Sequence, residues 1–300
     1  MSAAIRLPLF LLPLLAFMLW GTTYKPGMVF SDEPYDTDIS SATLPPLPGW
    51  AKAPLPDFST ISDTIEKKAA FFSYLYPRIV LVNTRILIQR QYLFDLADKQ
   101  DFNSDEIDWL EQHASRLRIT APLGSDEMFD QLSLKLDIIP PSLILAQAAN
   151  ESAWGTSRFA VSGNNLFGQW CFSQGCGLVP ASRVEGANHE VARFTSPYQS
   201  IRSYAQNLNR HPTYRPLRAI RNQTRSNNET LEGIAMAAGL MGYSERGEDY
   251  VKEIRSMIRF NNLAYYDRHF NESIVSQSDN EALMTISPEQ TLLPGQPDAG

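Results

Sequence analysis

Apolar residues recur at helical intervals over most of this chain, and the places where that period fails divide it into parts. Ile61, Ile65, Ala69 and Phe72 share one helical face, which Pro77 is expected to interrupt. Residues 79–88 are apolar but include Arg85, which argues against a membrane span there. Ser104, followed by Asp105, Glu106 and Asp108, opens a further short helix with acids in its first turn. Leu143, Ile144, Gln147, Glu151 and Trp154 again follow helical spacing. Pro140 and Pro141 precede that helix, Ser142 is its expected cap and Gly155 its expected stop.

The period then breaks. Gly175, Gly177, Pro180 and Gly186 punctuate residues 169–194, while residues 189–194 alternate as a strand does, so a small β-hairpin lobe is expected to face the helix of Glu151. Ser196 and Pro197 form a cap with proline at the first helical position, and Ile201, Tyr204, Ala205 and Leu208 line one face of the helix they open, which stops near Pro212. Two more helices are expected over 230–240 and 246–262. Residues 269–300 keep no apolar period and are expected to be a disordered tail.

The amino-terminal end follows another rule. Residues 7–24 carry no charge, and their apolar part ends at Trp20, which is nearer the core of a signal peptide than the roughly 20 residues of a comfortable membrane helix. Residues 1–25 are therefore expected to be a signal peptide or a retained membrane anchor, and the residues leave both open. Arg6 before the run and Asp32, Glu33, Asp36 and Asp38 after it fit an orientation with the bulk of the chain outside. Residues 26–56 are rich in proline and are expected to be an extended linker.

Composition narrows the function. Three hundred residues with 43% apolar content can bury one sizeable core with an accessory element. A net charge of −7 argues against nucleic acid, which calls for a basic stripe. The two cysteines, Cys171 and Cys176, read as a loop staple in an exported protein. A zinc site needs more ligands than the neighbouring His189 supplies, so no metal or cofactor is expected.

Glu151 carries the candidate chemistry. A carboxylate at the end of an apolar helix, beside a Trp and a Gly, is disfavoured in its charged form and can stay protonated near neutral pH. It can then donate to the oxygen of a breaking glycosidic bond. The bland alternative is an exposed carboxylate at a helix C-terminus, slightly disfavoured by the helix dipole.

The stretch Ala146-Gln-Ala-Ala-Asn-Glu-Ser-Ala-Trp-Gly155, with Asn165-Leu-Phe-Gly168 shortly after it, resembles the glucosaminidase family of peptidoglycan hydrolases, and the whole chain looks most like its bacterial Bax-type members. The resemblance implies a mainly α (α+β) fold: a lysozyme-like helical catalytic domain over 123–268 with a small β-lobe, preceded by accessory helices over 57–122. It implies peptidoglycan glycan strands as substrate, cleaved after N-acetylglucosamine, with Glu151 as general acid. The family's second carboxylate comes from the β-lobe in a T-x-E-Y-like context that this chain lacks; Glu185, at a turn, is preferred over Glu190 as its substitute, with a merely solvated turn glutamate and assistance by the substrate's own acetamido group the alternatives. Leu240-Met-Gly-Tyr243 resembles the family's Gly-Tyr segment, which puts Tyr243 in the cleft, although Ser244-Glu-Arg-Gly247 is longer and more charged than the family's stretch; Tyr250 is expected in the core. Trp154, Asn165, Phe167, Gly168 and Trp170 are the expected sugar contacts, with core packing the alternative for the three aromatics. Arg218, Arg221 and Arg225 share a helix face and are either solvated or in contact with substrate carboxylates. A lytic transglycosylase or muramidase using the same Glu, and a wall-binding protein without activity, are the alternatives.

Overall fold

The computed structural model describes residues 44–181, 183 and 186–275. The expected signal or anchor segment, the first part of the linker, Glu185 and residues 276–300 lie outside the described residues. Within them the chain is mainly α. Its helices are α1 (Thr64–Ala97), α2 (Ser104–Leu117), α3 (Asp126–Lys135), α4 (Pro141–Ser152), α5 (Arg158–Gly163), α6 (Pro197–Arg210), α7 (Arg215–Ser226), α8 (Gly233–Met236), α9 (Glu248–Phe260) and α10 (Ala264–Val275). Three short strands, β1 (Trp170–Cys171), β2 (Gly177–Leu178) and β3 (Glu190–Ala192), form an antiparallel sheet in the order β1-β3-β2.

Helix α1 runs through Pro77 for 34 residues, so the expected interruption does not occur. Proline there deletes one main-chain hydrogen bond and costs about 3 kcal/mol. Leu75, Tyr76, Ile79, Val80 and Leu81, all buried on either side of it, outweigh that at roughly 1.5–3 kcal/mol for each large side chain. Ile65, expected on the apolar face, is 80% exposed. The helix shares one hydrophobic core with α4 and α6, through Phe71, Leu75 and Ile79 on its own side and Ile144, Ala148, Ile201 and Tyr204 on theirs. A satellite core joins Leu93 and Leu96 of α1 to Trp109 and Leu110 of α2 and Met128 and Leu132 of α3, so packing crosses the expected boundary at residue 122. No helix among the described residues is long and apolar enough to cross a membrane.

From residue 44 the expected linker is packed down rather than extended into solvent. Its carbonyl groups have partners on α1: Arg85 Nη1 donates to Pro45 O at 2.6 Å, Arg78 Nη2 to Trp50 O at 2.7 Å, and Tyr74 Oη to Ala53 O at 2.8 Å. Extended proline-rich backbone has no hydrogen bonds of its own. Three long donors on one helix therefore suffice to seat it, and Ala51 and Phe58 are buried beneath.

Two other expectations change. Arg218 and Arg221 are buried, not solvated, and they serve the fold rather than a ligand. Arg221 Nη1 donates to Asp137 O, Ile138 O and Asn209 Oδ1 at 2.7–3.1 Å, while Arg225 makes a two-pronged bond to the Asp137 carboxylate at 2.8 and 3.1 Å. The expected tail is helical at its start, because Phe270 of α10 gives that segment an apolar anchor that the sequence pattern hides.

The β-lobe is a three-stranded sheet and not a simple hairpin. Trp170 pairs with Val191 and Gly177 with Ala192. A disulfide joins Cys171 to Cys176. Glu190 closes the same loop, accepting from Gly175 N at 3.0 Å and Gly177 N at 2.8 Å. Those two bonds hold its carboxyl below the ordinary glutamate value.

Candidate active site

Helix α4 delivers Glu151 in its last turn, and both of its ends are fixed by contacts distant in sequence. Ser142 does not cap it. Pro140 occupies the cap position, and the missing acceptor comes from Asp267 of α10, which accepts from Ser142 N at 2.8 Å, from the Ser142 hydroxyl and from Gly233 N at 2.9 Å. At the other end the chain turns through Ala153, Trp154 and Gly155, all with positive φ (50°, 59° and 78°). A Cβ on Gly155 would stand 2.7 Å from the Phe58 ring, so glycine is required there on two counts. Left-handed backbone at a bulky residue is strained. Trp154 is held by edge-on contacts with Phe71 and Phe72, at 5.8 and 5.4 Å between ring centroids, and by Lys68 Nζ 4.8 Å from its own ring centroid.

The half-buried Glu151 carboxyl meets neutral donors. Its Oε1 accepts from Tyr250 Oη at 2.7 Å and from Asn150 Nδ2 at 3.2 Å. Tyr250 Oη in turn accepts from Gln147 Nε2 at 2.8 Å, and Gln147 Oε1 accepts from the Tyr204 hydroxyl. Tyr204, Gln147 and Tyr250 are all buried, so this is a dry, directional relay that ends on the carboxyl. Burial raises the Glu151 carboxyl above the ordinary glutamate value. The Tyr250 and Asn150 bonds act the other way without cancelling it. Both bonds fall on Oε1, which leaves Oε2 as the oxygen on which a proton would sit.

Tyr243 does not reach Glu151. Its hydroxyl donates to Phe167 O at 3.0 Å, and its ring lies against Tyr250 at 5.2 Å and nearly parallel. Tyr250, expected only as core, is buried and is also the phenol on the carboxyl. Phe167 is fully buried and stacks on Tyr204 at 4.0 Å. Asn165 is 1% exposed, and its amide is consumed by Gln169 O, Ala192 O, Phe167 N and Gln169 N. Neither side chain has surface to offer a sugar, so both expected contacts become supports of the loop. Gly168, at φ 64°, has open space where a Cβ would stand, and half-buried Trp170 stacks on His189 at 4.1 Å. Trp154 packs toward α1. Glu190 is committed to the disulfide loop, and Glu185 lies outside the described residues.

Sequence reasoning passed over Gln147, Tyr204 and Tyr250. A signal existed for one of them: Gln147 is a polar residue inside an apolar helix, four positions before Glu151 and therefore on the same face.

Comparison with known proteins shows the family. The family model for glucosaminidase, described as mannosyl-glycoprotein endo-beta-N-acetylglucosaminidase, matches residues 126–263, which include α4, the β-lobe and α9. Protein bax of Escherichia coli (strain K12) is 31% identical over 208 residues, covering 69% of this chain and 74% of that protein. No solved structure matches the chain. On the matching family model and the extended similarity to a Bax protein, the chain belongs to the glucosaminidase family of glycoside hydrolases as a Bax-type member.

Proposed function

We propose that this protein is an exported peptidoglycan hydrolase that cleaves the glycan strand after N-acetylglucosamine, with Glu151 as general acid. The observation that carries the reading is the Glu151 carboxyl itself, raised by burial and bonded to a phenol and an amide, with no cation in hydrogen-bond contact among the described residues. A carboxyl raised in this way is more readily protonated, which suits a general acid. The uncharged run over residues 7–24 supports export.

Glu151 gives its proton to the bridging oxygen as the bond from that oxygen to C1 of N-acetylglucosamine breaks. The acetamido oxygen of the same sugar then bonds to C1. Water, giving a proton back to Glu151, attacks C1 and releases the acetamido group. Two observations favour this assisted route over a protein nucleophile: Glu190 is tied to Gly175 and Gly177, and the Tyr243 hydroxyl is given to Phe167. Glu185 is the competitor. If it were the base, Glu185→Gln would lose turnover far beyond Glu190→Gln and azide would restore part of it; the assisted route predicts that both variants stay active.

Mass spectrometry of digested peptidoglycan tests the bond. Reducing-end N-acetylglucosamine is expected. Reducing-end muramic acid would mean a muramidase, and anhydromuramic acid a lytic transglycosylase.

A further inference from the structure

The charged stretch Ser244-Glu-Arg-Gly247, which departs from the family's pattern, has no part in the reaction as described. Its Arg246 crosses to Glu253 on α9, and the resulting ion pair straddles Tyr250. The Arg246 guanidinium carbon lies 5.8 Å from the Tyr250 ring centroid, and the hydroxyl of that same ring is 2.7 Å from Glu151. The pair stands in solvent, with 55% of the Arg246 side chain and 40% of the Glu253 side chain exposed. An exposed ion pair contributes little to stability, so a competing carboxylate can displace Glu253 without disturbing the fold.

The chemistry of the substrate supplies that carboxylate. When a strand is cut after N-acetylglucosamine, the leaving oxygen is O4 of muramic acid, and Glu151 must touch it. The neighbouring ring carbon, C3, bears the lactyl ether. Its carboxyl is either free or joined to a stem peptide that carries carboxylates of its own. A cation beside Glu151 is therefore within reach of an anionic substituent, and arginine offers the planar pair of donors that a carboxylate accepts best.

Resting on the reading of Glu151 as general acid, we propose that Arg246 is a specificity-determining residue that binds the carboxylate on the O3 substituent of the leaving sugar, and that Glu253 holds the guanidinium in place until substrate displaces it. The exchange also favours catalysis. Glu253 pushes the Glu151 carboxyl up and Arg246 holds it down, so an arginine neutralised by substrate leaves the acid more fully protonated.

Binding in the Glu151→Gln background separates this inference from the reaction. Three strands serve as probes: denuded glycan with free lactyl carboxylates, the same glycan with those groups converted to methyl amides, and peptide-bearing glycan. The charged denuded strand is expected to bind about tenfold or more tighter than its neutralised twin. Adding Arg246→Met abolishes that preference, Arg246→Lys keeps part of it, and Glu253→Gln increases it. Equal preference in the Met variant, or equal weakening on charged and neutralised strands, overturns the proposal. Peptide-bearing glycan that remains Arg246-dependent identifies a stem-peptide carboxylate as the ligand; dependence confined to denuded glycan identifies the lactyl carboxylate. If none of the three strands binds, the peptidoglycan reading fails first.

Discussion

The two ends of α4 hold carboxylates in opposite ways. Asp137, just before the helix, is buried among cations: Arg225 at 2.8 Å, Arg221 at 3.7 Å and Arg90 at 4.0 Å. Burial works against its charge, but the arginines together keep the carboxyl below the ordinary aspartate value. Glu151, in the last turn, meets a phenol and an amide, and its carboxyl rises. Asp267, which caps the helix from α10, follows the second pattern: its donors are neutral, and burial pushes it up to about 6. All three are buried or half-buried, and partner charge decides whether burial prevails: cations hold the Asp137 carboxyl down, while neutral donors leave those of Asp267 and Glu151 raised.

The same carboxylate-to-amide change at each end can break that comparison. Asp137→Asn leaves buried Arg221 without its counter-charge and is expected to cost about 3–5 kcal/mol in denaturant unfolding. The sign with pH follows from linkage. Asp137 has a depressed folded value, so its contribution is present above the ordinary aspartate value and is lost as pH falls through the folded one. The Asn variant should lack that acid slope. Glu151→Gln, in contrast, is expected to keep its unfolding midpoint while losing about 10²-fold or more in turnover, because the amide retains the shape but has no proton to deliver. A destabilised Gln variant, or one with near wild-type activity, would erase the distinction between the two ends.

Away from α4 the effects are expected to shrink. The Cys171→Ser, Cys176→Ser variant opens a loop with a sequence separation of 5, worth about 2 kcal/mol by chain entropy, and thermal unfolding should register it. Tyr250→Phe removes a bond that favours the ionised form of Glu151. The alkaline limb of the pH–rate profile, where the acid loses its proton, should therefore move to higher pH. One such bond is worth roughly 0.5–1.5 kcal/mol, or up to about one pH unit. Tyr243→Phe, one ring further back, should shift it less.

These contrasts also explain what the sequence made legible. Ser196 and Pro197 open α6 as their residues predict, because a cap and a first-turn proline act within a few positions: Ser196 Oγ accepts from Gln199 N. Glu151 was legible for a related reason, since its apolar helix and the turn after it are local. Ser142 and Pro77 were misleading. A distant Asp267 took over the cap, and a distant core overrode the proline. Tyr250 could not be told from an ordinary core aromatic, because what sets it apart is where one hydroxyl ends up, 99 residues from its partner in sequence. The arginines of α7 looked solvent-facing because charge is usually found in water, and nothing local announced Asp137.

The central claim is that burial raises the Glu151 carboxyl and that its neutral donors do not cancel the rise. Titration of its side-chain carboxyl by carbon NMR, with the signal assigned by its absence in Glu151→Gln, tests this most directly. The account predicts a midpoint above the ordinary glutamate value, and a further rise in Tyr250→Phe. A midpoint at or below the ordinary value would contradict it.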